Sequence, residues 1–442
     1  MLWCSFIELD ALLSIILIII YGLFSLRAKQ VCLGDLYLFC RLFPLVFVAG
    51  FFLDGALYSS LSELNIVDAL SSIDVLLALL LFFIMFNFNS FESVLLLLFA
   101  FIGQYYMLHS MDLLTFYIAL EAQNFCFLVL CGLQTDRQNH SFSVEASLKY
   151  FLLSAFSSGV ILFWFSALYL QTGLSVLSFK TASLDYGYSM LPIGATFQIL
   201  CAMMFKLGAA PLHLWVAQIY NGVKRNLLMY ISTAPKLALF GFWVGSFHTV
   251  WTDYSLLLFA VFSIVLGSFG AYNQPGLRSL FAYSTVNEIG LLLSALETAG
   301  FHTLFQHLGI YIISQVLLWN IEDKRLFSFV AVSLAGLPPL AGFFGKAFIF
   351  WHVSTVGLSS LLLVALFCTG VSLVYYLRVV RLFWNNSMGT HTRLLSHTKS
   401  LRFVRTTVLS DQALFNSRVM LTSSLAVMLC IIPIFLLKPF VI

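Results

Sequence analysis

The sequence predicts an all-α polytopic membrane protein with about fourteen transmembrane helices. Of its 442 residues, 61% are hydrophobic and only 9% are charged, a composition that excludes an ordinary soluble domain. Apolar runs long enough to span a membrane recur along the chain near 9–26, 33–53, 70–88, 91–110, 112–132, 143–170, 191–220, 228–248, 254–271, 278–296, 299–319, 327–352, 357–383 and 418–437. We expect the first run to be retained as a helix, because Glu8 and Asp10 stand where a cleaved signal would carry Lys or Arg.

Loop charges give this arrangement a direction. With an even number of spans, nearly all loop Lys and Arg fall on one side, with Lys180 and Lys438 as exceptions, and most loop Asp and Glu fall on the other. The positive-inside rule places the basic loops in the matrix or cytoplasm and both termini on the acidic side. The 46 phenylalanines favour an organellar gene, so we predict the mitochondrial inner membrane, with both termini on the intermembrane-space side. A bacterial plasma membrane is the alternative.

Two further features bear on cofactors and partners. The eight cysteines are scattered singly through apolar segments, which supports neither a disulfide framework nor a metal or iron–sulfur site. The long polar connection 385–417 carries Arg, Lys, Ser and Thr with interspersed Leu and Phe. It is equally compatible with a surface helix or docking site for another subunit and with a simple solvated loop.

Ionisable residues at membrane depth are the main candidates for function, because their burial in hydrocarbon is costly. Structural polar contacts between helices are the alternative, and for Arg41, which can extend to the interface, that is the favoured interpretation. The set comprises Arg41, Glu121, Lys149, Lys206, Lys236, Glu288 and Lys346, joined by His213.

Two of these lysines lie beside proline-containing interruptions. Lys206 precedes the break GAAP at 208–211, which His213 follows, and Lys346 follows the segment AGLPPLAGFFG. Interruptions at corresponding positions of two halves are typical of inverted repeats around a transport site. The chain then divides into three N-terminal helices (1–90), a first repeat of helices four to eight (91–250), a second repeat of helices nine to thirteen (251–384), and a basic-side loop with a C-terminal helix (385–442).

The remaining buried charges extend this pattern into a row. We expect Glu121 to contact Lys206, and Lys236, directly after Pro235, and Glu288 to continue the row toward Lys346. Lys149 lies four residues after Glu145, and a structural anchor is favoured for it over proton entry. The histidines outside this row are interpreted as satisfied polar contacts: His109, His248, His302 and His307.

Five motifs resemble the antiporter-like membrane subunits of respiratory complex I, in the right order over roughly 91–384. They are EASLKYFLLSAFSSG (145–159), FKLGAAPLHLW (205–215), STAPKLALF (232–240), LRSLFAYSTVNEIG (277–290) and LAGLPPLAGFFGK (334–346). The combination of the first two is most similar to the chain 2 branch, called subunit N in bacteria. The resemblance implies broken seventh and twelfth helices, proton translocation, and functional roles for Glu121, Lys206, Lys236, Lys346 and His213. The chain departs from the family pattern at Glu288, where relatives often have His.

The resemblance also implies the setting. We expect no redox centre and no bound cofactor in this chain, while NAD, FMN, iron–sulfur clusters and ubiquinone belong to the whole complex. Expected partners are neighbouring antiporter-like and small membrane subunits, accessory subunits and lipids, and no nucleic acid. Two alternatives stay open: a subunit of a multisubunit Na⁺ or K⁺/H⁺ antiporter, and a structural helix scaffold whose charges only hold helices together.

Overall fold

The computed structural model describes most of the chain between residues 73 and 385. The described residues are 16, 19–20, 73–74, 76–81, 84, 91–110, 112–133, 140–173, 193–247, 253–321 and 324–385. Predicted spans two and fourteen, most of spans one and three, Arg41, His248 and the polar connection beyond Asn385 lie outside them.

The regular secondary structure of the described ranges is helical. The helices are α1 (Phe91–Leu108), α2 (Leu113–Gly132), α3 (His140–Thr172), α4 (Ile193–Leu207), α5 (Leu214–Gly222), α6 (Arg225–Phe242), α7 (Asp253–Asn273), α8 (Leu277–Glu297), α9 (Phe301–Asn320), α10 (Lys324–Ala335), α11 (Ala341–Val356) and α12 (Ser359–Asn385). Helix α6 contains Pro235 and continues as one π-helical turn, Trp243–Phe247.

Seven helices in the described part of the chain are long and apolar enough to cross a membrane: α2, α3, α6, α7, α8, α9 and α12. Each coincides with a predicted span. Predicted spans seven and twelve are each divided into two shorter helices, α4 with α5 and α10 with α11. The total of fourteen spans stays a prediction, because several of them fall outside the described residues.

The two interruptions share one local geometry. At the first, Gly208 has φ +78°, its N–H donates to the Phe205 carbonyl, and the next N–H, of Ala209, donates to Met204. At the second, Gly336 has φ +83°, and the same two bonds run from Gly336 to Ser333 and from Leu337 to Val332. This is the Schellman ending, which needs a residue without a Cβ at the left-handed position. A cis X–Pro bond follows three residues later at each break.

The described residues form two compact units. In the first, α1 packs against α2 and α6, and α2 packs against α3. Helix α6 is the most buried of its spans, since 89% of its apolar window is inside the protein, against 22% for α3. Phe116 of α2 stacks on Phe242 of α6 with ring centroids 3.8 Å apart.

The second unit comprises Met204–Asn221 and the described residues from 253 onward. Helix α8 forms its centre, with 94% of its window buried, and it packs most closely against α7. Two glycines permit this approach: a Cβ on Gly267 would lie 2.5 Å from the Asn287 backbone nitrogen, and one on Gly290 would lie 2.7 Å from the Ile264 nitrogen. The backbones of α7 and α8 therefore touch without intervening side chains.

This interface predicts opposite effects for the same substitution at two helical glycines. Gly290→Ala forces α7 and α8 apart, and we expect a destabilisation of about 1–3 kcal/mol. The matched control is Gly309→Ala in α9, where a Cβ meets nothing within 4 Å and where better helix propensity predicts an unchanged or slightly raised stability. The thermal unfolding midpoint of the assembled protein is the measurement. A lower midpoint for Gly309→Ala than for Gly290→Ala would contradict this packing.

Candidate functional site

Three ionisable side chains from three helices meet inside the second unit. The Glu288 carboxylate of α8 lies 2.9 Å from the Lys346 ammonium of α11 through Oε1, and 2.9 Å from His307 Nε2 of α9 through Oε2. All three residues are buried, with exposed fractions of 2%, 4% and 2% for Glu288, Lys346 and His307. We call Glu288, His307 and Lys346 the α8–α11 cluster.

The break between α10 and α11 supplies a further ligand for the lysine. Lys346 Nζ donates a 2.7 Å hydrogen bond to the Leu334 carbonyl in the last turn of α10. In an uninterrupted helix that carbonyl would accept from the N–H of residue 338, but residue 338 is proline and has none. The ammonium therefore binds a backbone acceptor that the interruption releases, at the negative end of a half-helix.

A small cavity adjoins the cluster. Its lining includes the three charged residues together with Tyr311, Ser314 and Ser333. Two of its polar atoms, His307 Nδ1 and Ser333 Oγ, are buried and have no hydrogen-bond partner among the described residues. The cavity has room for about one water molecule, and the two atoms are partners of the kind that a buried water needs.

The electrostatics of the cluster suit a protonation site. With Glu288 ionised and Lys346 charged, the pair is neutral overall, and His307 can be neutral or can carry an additional proton. Two unit charges about 4 Å apart interact by about 4 kcal/mol at an effective dielectric of about 20. A proton gained or lost by one member therefore changes the electrostatic environment of the other two.

At the first interruption, Lys206 lies in the last turn of α4 and is half-buried. His213 lies between α4 and α5, is buried, and meets the Tyr283 ring of α8 edge-on at 5.5 Å. The Phe205 carbonyl, near the end of α4, accepts a hydrogen bond from the Trp215 indole at 3.0 Å. His213 therefore contacts α8 at Tyr283, five residues before Glu288 in the same helix.

In the first unit, Glu121 belongs to a polar network rather than standing alone in α2. Its Oε1 accepts a 3.2 Å hydrogen bond from Asn124, whose amide oxygen accepts another from the Tyr150 hydroxyl at 3.2 Å. Lys236, after Pro235 in α6, is buried with 7% exposed. The expected contact of Glu121 with Lys206 would join the two units and stays a prediction.

Lys149 forms the predicted i,i+4 pair. Its ammonium lies 2.6 Å from Glu145 Oε1, and the two side chains are 42% and 57% exposed. An exposed pair of this kind contributes about 0.3–0.5 kcal/mol. The predicted pair is present, and the role of Lys149 as an anchor stays a prediction.

The sequence interpretation does not include His109 and His307 among the candidate site residues, but the structure places each of them beside a carboxylate. The sequence interpretation of His307 is a satisfied polar contact. Its Nε2 does have a partner, Glu288 of the candidate site, but its buried Nδ1 has none among the described residues. His109 lies 2.9 Å from Asp74, a buried acid that the sequence interpretation did not include among the candidates. Such partners are 19 and 35 residues apart, and no helical spacing connects them.

Known proteins resemble this chain in sequence and in fold. Residues 110–322 match the family model described as NADH:quinone oxidoreductase/Mrp antiporter, TM. The NADH-ubiquinone oxidoreductase chain 2 of Chlamydomonas reinhardtii is 49% identical over 437 residues, covering 99% of this chain and all of that protein.

Two solved structures share the fold at low sequence identity. A chain of respiratory complex I from Thermus thermophilus superimposes with a TM-score of 0.79 at 22% identity, covering 98% of each chain. A chain of the Mrp complex from Dietzia sp. DQ12-45-1b superimposes with a TM-score of 0.70 at 18% identity, covering 84% of this chain and 79% of that one.

The α8–α11 cluster predicts the effect of one added methyl group. A Cβ on Gly345 would lie 2.6 Å from His307 Nδ1, so Gly345→Ala displaces the imidazole and lengthens its bond to Glu288 beyond hydrogen-bond range. We expect a loss of about 1–3 kcal/mol of stability. The structure of the variant and its thermal unfolding midpoint are the measurements. Gly370→Ala in α12, where a Cβ meets nothing within 4 Å, is the control, and an unmoved His307 in Gly345→Ala would contradict the geometry.

Proposed function

This chain belongs to the family of NADH-ubiquinone oxidoreductase chain 2, and from this premise we propose that it translocates protons within the membrane arm of respiratory complex I. The chain is a membrane-embedded subunit of a multisubunit NADH:quinone oxidoreductase. Its own part in the reaction is to change proton affinity and water access. This chain makes and breaks only bonds to hydrogen, and the redox reactions take place in other subunits.

The observation that carries the proposal is the α8–α11 cluster beside an interrupted helix. A buried Lys–Glu–His arrangement is costly to maintain for stability alone, because desolvation of the charges opposes their attraction. The interruption also exposes backbone polar groups at membrane depth, which is tolerated where they line a cavity or a pathway. Both features are expected of a proton-transfer site.

A proton is passed through the cluster in the following steps. Neutral His307 accepts a proton at Nδ1 from water in the adjoining cavity, and Glu288 stabilises the imidazolium through Nε2. The carboxylate is then shared between two cations, so its attraction for Lys346 is divided and the ammonium more readily releases a proton. Lys346 releases this proton toward the acidic-loop side, and the proton that His307 took up passes through the Glu288 carboxylate to Lys346, which restores the ammonium and resets the cluster.

We extend this proposal to the remaining buried charges. Glu121, Lys206 and Lys236 bind and release protons in a row that continues to Glu288 and Lys346, and His213 conducts protons beside the first interruption. Displacement of a unit charge by about 10 Å at an effective dielectric of about 20 changes a neighbour's energy by about 1.7 kcal/mol. That is enough to couple neighbouring members. Lys149 anchors the start of α3.

The proposal includes the architecture predicted from the sequence. Two inverted five-helix repeats, spans four to eight and nine to thirteen, each contain one interrupted helix. Their matching Schellman endings at Gly208 and Gly336 support this correspondence. The full chain would have fourteen spans with both termini on the intermembrane-space side of the mitochondrial inner membrane, and protons move from the basic-loop side to the acidic-loop side.

The proposed setting assigns the redox cofactors to other chains. No cofactor binds here, and NAD, FMN, iron–sulfur clusters and ubiquinone act elsewhere in the complex. Neighbouring antiporter-like subunits, small membrane subunits, accessory subunits and lipids are its partners, and no nucleic acid is. The polar connection beyond Asn385 is the segment through which an accessory subunit would dock.

The antiporter alternative is less supported. The fold is shared with an Mrp chain, but the 49% identity over the full length is to a complex I chain. An antiporter subunit predicts sodium- or potassium-dependent transport and no NADH oxidation by the purified complex. Co-purification with flavin- and iron–sulfur-bearing chains decides between the two.

Removing both charges of the buried Glu288–Lys346 pair distinguishes the scaffold alternative from a proton-transfer site. Lys346→Met leaves Glu288 without its ammonium, and we expect a destabilisation of about 3–5 kcal/mol. The double variant Glu288→Gln, Lys346→Met removes both charges, so it regains stability and assembles. We expect it to lose coupled NADH:quinone turnover and proton pumping by about a hundredfold, the lower range for a lost acid–base group. The measurements are native-gel assembly and proton uptake by vesicles containing the complex.

A matched control uses a histidine on the same helix. His302→Gln changes an exposed side chain of α9 one and a half turns before His307, and we expect normal pumping, whereas His307→Gln slows it. Normal pumping by the assembled double variant would show that the charges only hold helices together, and it would overturn the proposed site.

A further inference from the structure

A second carboxylate–imidazole pair lies in the first unit, outside the predicted row of charges. Asp74 of the segment before α1 lies with Oδ2 2.9 Å from His109 Nε2. The Asp74 side chain is 2% exposed, whereas that of His109 is 34% exposed. The second carboxylate oxygen, Oδ1, is buried and receives no hydrogen bond from the described residues. The pair therefore has one buried end and one end open to the surface.

His109 lies directly after the C-terminal end of α1. Helix α1 ends at Leu108, and the His109 N–H still donates to the Tyr105 carbonyl at 3.2 Å. The unpaired carbonyls and the dipole of a helix C-terminus stabilise an imidazolium, so His109 can take up a proton from Asp74 during transfer. The Tyr105 ring, 4.6 Å from the imidazole between centroids, covers one face of it.

Apolar residues next to each member of the pair pack against α6. A Cβ on Gly241 of α6 would lie 2.4 Å from a methyl of Leu108, which precedes His109, and 3.4 Å from a methyl of Ile73, which precedes Asp74. The titratable side chains that the last turn of α1 and the α1–α2 connection bring to this end of the first unit are Tyr105, Tyr106 and Asp112, in addition to His109 itself. Among the described residues of the neighbouring α6, Lys236 is one and a half turns before Gly241.

The chemistry of this pair allows Asp74 to hold a proton and His109 to transfer it. His109 presents Nε2 to the acid, and a proton taken up on one ring nitrogen is matched by release from the other. Asp74 Oδ1 is buried without a hydrogen-bond partner among the described residues. Such an oxygen costs less free energy in a neutral carboxylic acid than in a charged carboxylate, so Asp74 can hold a proton. The pair can thus hold one proton on the buried acid and exchange it through the imidazole with surface water.

We propose that Asp74 and His109 form a proton-release site at the acidic-side end of the first unit, with Asp74 storing the proton and His109 passing it to water. The side follows from the predicted sidedness of the loops, in which Asp112, three residues beyond His109, belongs to the acidic side. The direction of transfer rests on the proposed function, whereas the protonation of the pair does not. The O–H or N–H bond to the moving proton is the single bond broken and remade at each step.

The test compares four variants of the intact complex in vesicles whose acidic-side pH is set independently. Asp74→Asn keeps a hydrogen-bonding side chain of the same size but cannot ionise, and His109→Gln removes the relay. We expect each to lower coupled NADH:quinone turnover by about tenfold or more, and to flatten the dependence of that rate on acidic-side pH. Asp74→Glu restores an ionisable group and recovers both. His302→Gln, an exposed histidine outside the pair, leaves both unchanged.

The outcomes distinguish a proton-release site from a contact that only stabilises the structure. An assembled Asp74→Asn complex with an unchanged rate and pH profile would overturn the proposal. Loss of assembly in both Asp74→Asn and His109→Gln would assign the pair a structural role and overturn it as well. Infrared difference spectra supply an independent readout: a carboxyl band of the intact complex that Asp74→Asn removes shows that Asp74 is protonated, even if pumping through the α8–α11 cluster fails its own test.

Discussion

The bond between the Lys346 ammonium and the Leu334 carbonyl depends on a constraint that governs the whole chain. Every backbone N–H and C=O at membrane depth must find a partner within the protein. A proline at position 338 leaves the Leu334 carbonyl without its usual donor, and the lysine provides one at 2.7 Å. The same residue that neutralises Glu288 therefore also completes the end of a half-helix. Lys346 therefore takes part in the charge pair, in the helix interruption and in the lining of the cavity.

The second interruption shows how a similar backbone can support different chemistry. Both breaks use a glycine with positive φ and the same pair of closing hydrogen bonds. The lysine of the first break, however, lies in the turn before it, whereas Lys346 lies in the helix after it. One ammonium thus belongs to the C-terminal end of a half-helix, and the other reaches back to such an end from the next helix.

Much of this structure is readable from the sequence because it is local. Apolar length locates the spans, the Gly and Pro residues locate both interruptions, and the i,i+4 spacing of Glu145 and Lys149 predicts their pair. The partners of Glu288 and Asp74 are not readable, because each histidine is on another helix and helix-to-helix contacts have no period along the chain. His307 and His109 could have been singled out only as polar residues at the apolar core or end of a span.

The glycine contact between α7 and α8 separates two kinds of position in this phenylalanine-rich chain. On the outward faces of α3 and α12, exposed Phe156 and Phe367 can exchange with Leu at little cost, because lipid accommodates either shape. Gly267 and Gly290 admit no methyl group. Biased mutation of the gene can therefore change such exposed positions at little cost in stability, whereas a larger residue at either glycine would separate the two helices. Sequence divergence and structural divergence in this chain should run at very different speeds.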